Sequence, residues 1–191
     1  MRLRELIEEK LGPVEFTLRD PREMQPKDVK EADLMVISGG VGRSIEKNPE
    51  TFTRVVQAAA AHKKPTIGIC LGAEAIVFAC GGVLQEMPVR RVGNVRTHFT
   101  DSFAQELAWR EESTMAYEFH KWLIMTLPDS LEALGRSKDG VEIFRHNSLP
   151  MWGLQFHPEV RRLDNKGHLI FEHVLNELGI RTKSNTVYSN Q

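Results

Sequence analysis

Pro65-Thr66-Ile67-Gly68-Ile69-Cys70-Leu71-Gly72-Ala73-Glu74-Ala75-Ile76-Val77 is the stretch that decides the fold. Pro65 to Ile69 is a short apolar run bounded by turn residues, the pattern of a buried strand, and a helix-forming run starts at Gly72. Between them stands Gly68-Ile69-Cys70-Leu71-Gly72, a sharp strand-to-helix elbow in which any side chain at the flanking glycines would collide. The elbow is expected to push Cys70 out at its tip. There the first N–H groups of the helix would favour thiolate over thiol and donate to a developing oxyanion. The pattern alone leaves Cys70 open between a nucleophile and a small buried hydrophobe.

Working outward, Leu3, Leu6, Ile7 and Leu11 recur at helical spacing and predict a helix over residues 1–11, closed by Gly12. Val14-Glu15-Phe16-Thr17-Leu18 alternates as a strand does, and a polar connector over residues 19–30 follows. Leu34-Met35-Val36-Ile37 is a continuous apolar run that stops at Ser38-Gly39-Gly40, and Pro49 opens a helix through Phe52, Val55, Val56, Ala59 and Ala60. Helix and strand alternate this far, which predicts a parallel sheet covered by helices. Beyond Gly81-Gly82 the rhythm shortens. Residues 83–87, 89–97, 115–119, 131–135, 141–144 and 151–156 are strand-like pieces at hairpin spacing, with Lys138-Asp139-Gly140 as a tight turn. A helix is predicted over residues 165–178 and a mobile polar tail over 181–191. The expected fold is α/β, one domain over residues 1–180: an open, mostly parallel sheet flanked by helices, with a short-strand antiparallel region in the C-terminal half.

The 191 residues suit one domain. With 25 basic and 26 acidic residues and a formal charge of −1, bulk electrostatics points to neither a nucleic acid nor a membrane as partner. Cys70 and Cys80 would stand about 15 Å apart along a helix rising ~1.5 Å per residue, too far to bridge. That usage fits a reducing compartment, and no leader or membrane-length apolar run is visible, so a soluble cytoplasmic protein is expected. Cys80 reads as core packing. His62, His98, His146, His168 and His173 lack metal-ligand spacing and read as surface or boundary residues, so no metal is expected. Arg90, Arg91 and Arg96 read as a solvated strand face or a docking surface, as do Arg161 and Arg162.

A second motif changes the weight given to Cys70. In Gly153-Leu154-Gln155-Phe156-His157-Pro158-Glu159 an apolar strand delivers a histidine and then a carboxylate. In extended chain residues i and i+2 project to one side, so Glu159 is expected to orient the His157 ring, with Pro158 stiffening the link. Thiol, base and orienting acid are the minimum set for nucleophilic acyl transfer.

Together, Ser38-Gly39-Gly40, the Cys70 elbow and the His157 motif resemble the class I glutamine amidotransferase domain, with its flavodoxin-like fold, over nearly the whole chain. Tyr117-Glu118-Phe119-His120-Lys121-Trp122 and Leu127-Pro128-Asp129-Ser130 are most similar to the amidotransferase subunit of GMP synthase. The resemblance implies a Cys70–His157–Glu159 triad that hydrolyses glutamine through a γ-glutamyl thioester. It places the oxyanion hole on the backbone of Gly40 and Leu71, and substrate contacts at Gly39, Gly72, Glu74, Phe119 and His120. It implies no cofactor, and a separate synthase subunit, ATP-dependent in relatives, that accepts the ammonia. Glu74 stands where the family has glutamine, which opens the alternative of a γ-glutamyl hydrolase or another amidase; a regulatory pseudo-subunit is the non-catalytic alternative. Phe119 replaces a serine. Relatives begin with a strand before the first helix, and its lack here is expected to mean that the start lies upstream.

Overall fold

The computed structural model describes residues 3–40, 45–162 and 164–183. The elements run α1 (Leu3–Leu11), α2 (Pro26–Glu31), β1 (Met35–Ile37), α3 (Pro49–Ala61), β2 (Thr66–Ile69), α4 (Leu71–Ala79), β3 (Val83–Phe99), α5 (Asp101–Glu106), β4 (Ser113–Thr126), β5 (Leu131–Arg136), β6 (Val141–His146), β7 (Met151–Leu154) and α6 (Gly167–Glu177). One open seven-stranded sheet has the order β1-β2-β7-β6-β5-β3-β4. The parallel part is β1, β2 and β7; β6, β5, β3 and β4 continue it antiparallel, so the sheet is mixed.

Alternation along the central strands sends apolar side chains into two cores. Ile67 and Ile69 of β2 join Leu6 of α1, Phe103 of α5 and Ile170, Phe171 and Val174 of α6 on one face. Met151 of β7 and Phe144 of β6 join Phe52, Val55 and Val56 of α3 and Ile76 and Val77 of α4 on the other. Helix α4 is buried from Leu71 to Val77, Glu74 included, as befits a helix that is apolar on nearly every side. The Cys70–Cys80 pair is unbridged, as expected. No helix among the described residues is long and apolar enough to cross a membrane.

The structure departs from several expectations. Residues 14–18 form no strand: Val14 and Phe16 pack against the first core, but β1 is an edge strand and nothing among the described residues offers the segment a ladder. Alternation specifies a two-faced extended chain, not the partner that makes it a strand. The pieces at 83–87 and 89–97 are one strand, β3, interrupted by a register shift between Glu86 and Arg91 where Pro88 cannot donate to the ladder. Helices α2 and α5 stand where the pattern predicts connectors. Pro26 at the first turn, with the Gln25 N–H donating to Asp28 Oδ2 at 2.8 Å, starts α2; Thr100 Oγ1, accepting from the Phe103 N–H at 3.3 Å, caps α5. Residues 181–183 are not a loose tail: Thr182 is buried and donates to Asn176 Oδ1, while Lys183 Nζ donates to Glu8 O. Residues 184–191 lie outside the described residues.

Candidate active site

The elbow forms because two glycines let backbone approach backbone. A Cβ on Gly68 would stand 2.5 Å from Gly72 O, and one on Gly72 would stand 1.8 Å from Ile37 O. Helix α4 therefore sits directly on the ends of β1 and β2. Cys70 takes the turn with φ 53, the left-handed region that a non-glycine residue occupies only when its surroundings impose it. Its N–H still donates to Leu154 O at 2.8 Å, which ties the elbow to β7.

The thiol is not pushed into solvent. Cys70 is 8% exposed, and burial, reinforced by the Glu74 carboxyl, pushes the thiol up from its ordinary value. The Leu71 N–H works against this and loses. The helix terminus supplies donors as expected, but a fraction of a charge does not offset nearly complete loss of hydration. Cys70 Sγ donates to Phe119 O at 3.8 Å, so at rest the thiol proton is held on a backbone carbonyl.

His157 and Glu159 meet as anticipated, with Nδ1 and Oε1 2.9 Å apart. The route differs. Strand β7 ends at Leu154, and Pro158 and Glu159 turn back, with the Val160 N–H donating to His157 O at 3.2 Å. The fixed φ of proline makes that turn, so the carboxylate arrives by a bend rather than along a strand. The His157 N–H donates to Tyr117 O at 2.7 Å. Nε2 is buried without a hydrogen-bond partner. Thiol and imidazole both flank Gly39, where a Cβ would lie 3.2 Å from His157 Cε1 and 3.7 Å from Cys70 Sγ.

The other predicted site residues separate into two groups. Gly39 lies against the thiol and imidazole, Gly72 is consumed by the elbow, and Gly40 is exposed in the loop after β1. The Phe119 carbonyl touches the thiol, and its ring carries the Arg90 guanidinium 4.9 Å above it. Glu74 does not stand free for a ligand: it is 3% exposed, accepts from Gln155 Nε2 at 3.0 Å, and is pushed up by burial. His120 does not line an open pocket either. Its ring is buried, with Nδ1 2.7 Å from Trp122 O and Nε2 3.1 Å from Glu118 Oε2. Strand alternation puts residues 118 and 120 on the buried face of β4 and 117 and 119 on the other. Arg91 likewise leaves the predicted solvated face, pairing with Asp139 and, at 3.5 Å, with Glu118 Oε2. Sequence reasoning missed Tyr117 O and Gln155, for which local pattern carries no signal, since both act through partners far along the chain.

Residues 4–177 match the model of the family glutamine amidotransferase class-I. The chain is 32% identical over 155 residues to a subunit of the glutamine-hydrolyzing GMP synthase of Ignicoccus hospitalis, an alignment covering 80% of this chain and 79% of that one. It is 34% identical over 125 residues to anthranilate synthase component 2 of Azospirillum brasilense, covering 64% and 63%. A crystal structure of a Thermoplasma acidophilum protein assigned as a subunit of GMP synthase superposes with a TM-score of 0.69 at 23% identity, over 87% of this chain and 80% of that one. That likeness carries the fold. The match along 4–177, spanning both the elbow and the His157 turn, carries the rest: the chain belongs to the class-I glutamine amidotransferases.

Proposed function

We propose that Cys70, His157 and Glu159 hydrolyse the side-chain amide of glutamine to glutamate and ammonia, and that the ammonia passes to a separate synthase subunit. The observation that carries this reading is the His157 ring, anchored on Glu159 through Nδ1 while its buried Nε2 is unpartnered and the ring and the thiol both flank Gly39. The thiol proton, shared at rest with Phe119 O, moves to Nε2 as Sγ attacks the amide carbon. The oxygen that becomes negative is stabilised by the N–H of Leu71, and by that of Gly40 once substrate is seated. The imidazolium returns its proton to the departing amine, releasing ammonia and leaving a γ-glutamyl thioester. Water, deprotonated by Nε2, then attacks the thioester carbon; the C–S bond breaks, the thiolate regains the proton and glutamate leaves. Glu159 keeps the ring in the tautomer with Nε2 free and stabilises the imidazolium in both half-reactions.

The relatives named as GMP synthase subunits favour an ATP-dependent, GMP-forming synthase as the ammonia acceptor. The Glu74–Gln155 pair favours a second reading, hydrolysis of γ-glutamyl compounds other than free glutamine, because an acid occupies a buried place beside the nucleophile. Ammonia release from glutamine and from γ-glutamyl peptides, assayed with and without a GMP synthase ATP-pyrophosphatase subunit, separates the two. Labelling by a glutamine-analogue electrophile is expected at Cys70 and absent in Cys70→Ala. Turnover of the peptides with none of glutamine, with or without the synthase, overturns the first reading.

A further inference from the structure

Behind strand β4, on the face away from Phe119, three side chains converge that the amide chemistry does not use. Glu118, His120 and Glu142 are 0%, 4% and 1% exposed, and each places one ligand atom within 4.8 Å of the other two. A backbone carbonyl only accepts, so the 2.7 Å contact from His120 Nδ1 to Trp122 O fixes the proton on Nδ1. In the neutral ring Nε2 is then a lone pair, and it points at Glu118 Oε2 3.1 Å away. Two acceptors at that distance require positive charge between or beside them. A carbonyl on the remote ring nitrogen is also how metal-bound imidazoles are held. Glu118 Oε1 and Glu142 Oε2 are buried without a hydrogen-bond partner, which is costly for carboxylates.

The charge count points the same way. Arg91 pairs with Glu118 and Asp139, and Lys138 Nζ lies 3.7 Å from Asp139 Oδ1, whereas no lysine or arginine among the described residues pairs with Glu142. A doubly charged cation among the three side chains would compensate the two buried carboxylates and leave His120 as a neutral donor. One imidazole and two carboxylates form the donor set of zinc and similar first-row ions. We propose that Glu118, His120 and Glu142 form a binding site for a divalent transition-metal cation, with Arg91 holding Glu118 from behind. The bound ion would tether β4 to β6 at the segment whose other side presents Tyr117 O to His157 and Phe119 O to Cys70. No sequence pattern announces this site, because two ligands are a strand pair at i and i+2 and the third comes from another strand.

The site stands or falls apart from the glutaminase reading, since it is tested by metal content. The full chain is stripped with a chelator, loaded with Zn²⁺, desalted and analysed by plasma mass spectrometry, then loaded with Co²⁺ for absorption spectra. One zinc per chain is expected, with a higher thermal midpoint than the stripped protein, and Cys70→Ala keeps both because the thiol is no ligand. Glu142→Gln is expected to bind roughly tenfold or more weakly. The Co²⁺ spectrum is expected to lack a thiolate charge-transfer band, a readout that needs no variant to fold. Wild-type protein that retains no zinc, zinc lost in Cys70→Ala, or a thiolate band would each overturn the proposal and leave the cluster balanced by protons alone.

Discussion

Replacing Gly39 by alanine tests the site without testing the fold. The backbone of Gly39 lies outside the left-handed region, so alanine brings no conformational strain. Its methyl group would stand 3.2 Å from His157 Cε1, 3.3 Å from Cys70 Cβ and 3.7 Å from Cys70 Sγ. Ordinary carbon contacts fall at about 3.5–4.0 Å, so imidazole and elbow must each yield by roughly 0.3–0.5 Å. The elbow is locked by the Gly68 and Gly72 contacts, so the displacement falls mainly on the His157 ring. A misplacement of about 1 Å can cost ~100-fold in rate, so half of that predicts a loss on the order of tenfold in kcat. Overpacking by one methyl should cost no more than about 1–3 kcal/mol of stability. Glutaminase kinetics, together with thermal unfolding, reads both quantities. Full activity in a folded Gly39→Ala protein would refute the proposal that Cys70 and His157 act together beside this residue.

Gly72→Ala should behave differently: its Cβ would meet Ile37 O at 1.8 Å, backbone against backbone, so a loss above about 3 kcal/mol is expected in chemical denaturation, with activity following the folded fraction. Glu159→Gln keeps a partner at the 2.9 Å contact but removes its charge; kcat should fall by about 10²- to 10⁴-fold while the melting temperature stays nearly unchanged. Glu74→Gln bears on the thiol. The Glu74 carboxylate raises the Cys70 thiol, so removing its charge lowers the thiol's pKa, and the pH profile of Cys70 alkylation should move to lower pH; an unmoved profile means that Glu74 is uncharged over that range or contributes nothing.

What could be read from the sequence was what short-range sterics dictate. Gly68 and Gly72 announce the elbow because only backbone contact explains glycine on both sides of Cys70, and Pro158 marks the joint between His157 and Glu159. Apolar runs located β1, β2 and β7, the strands of the parallel half. The misreadings share one physical cause: each concerned a property conferred by remote chain. Residues 14–18 alternate correctly yet have no ladder partner among the described residues. Arg91 looks like a surface cation until Asp139 and Glu118 arrive to pair with it and half-bury it. Cys70 looks exposed at the tip of its turn until residues from the loop after β1, from β4 and from the His157 turn close over it.

That closure depends on a strand from the far edge of the sheet. In strand order β4 is as distant as possible from β1, yet Tyr117 O holds the His157 N–H and Phe119 O accepts from Cys70. The β3–β4 ribbon therefore curls back over the ends of β2 and β7. The register shift between Glu86 and Arg91 lies opposite β4 just where the strand passes from Trp122 to His120, so the irregularity falls beside the segment that reaches the site. Bulges increase local twist and bend a strand, which is what a ribbon must do to return across its own sheet. The elbow can form from β1, β2, β7 and α4 alone, since its clashes and ladder bonds are all with those elements. The resting thiol and the anchored His157 cannot. The left-handed backbone of Cys70 is thus imposed from one side of the sheet, while the carbonyls that hold its thiol and the His157 N–H are supplied from the other.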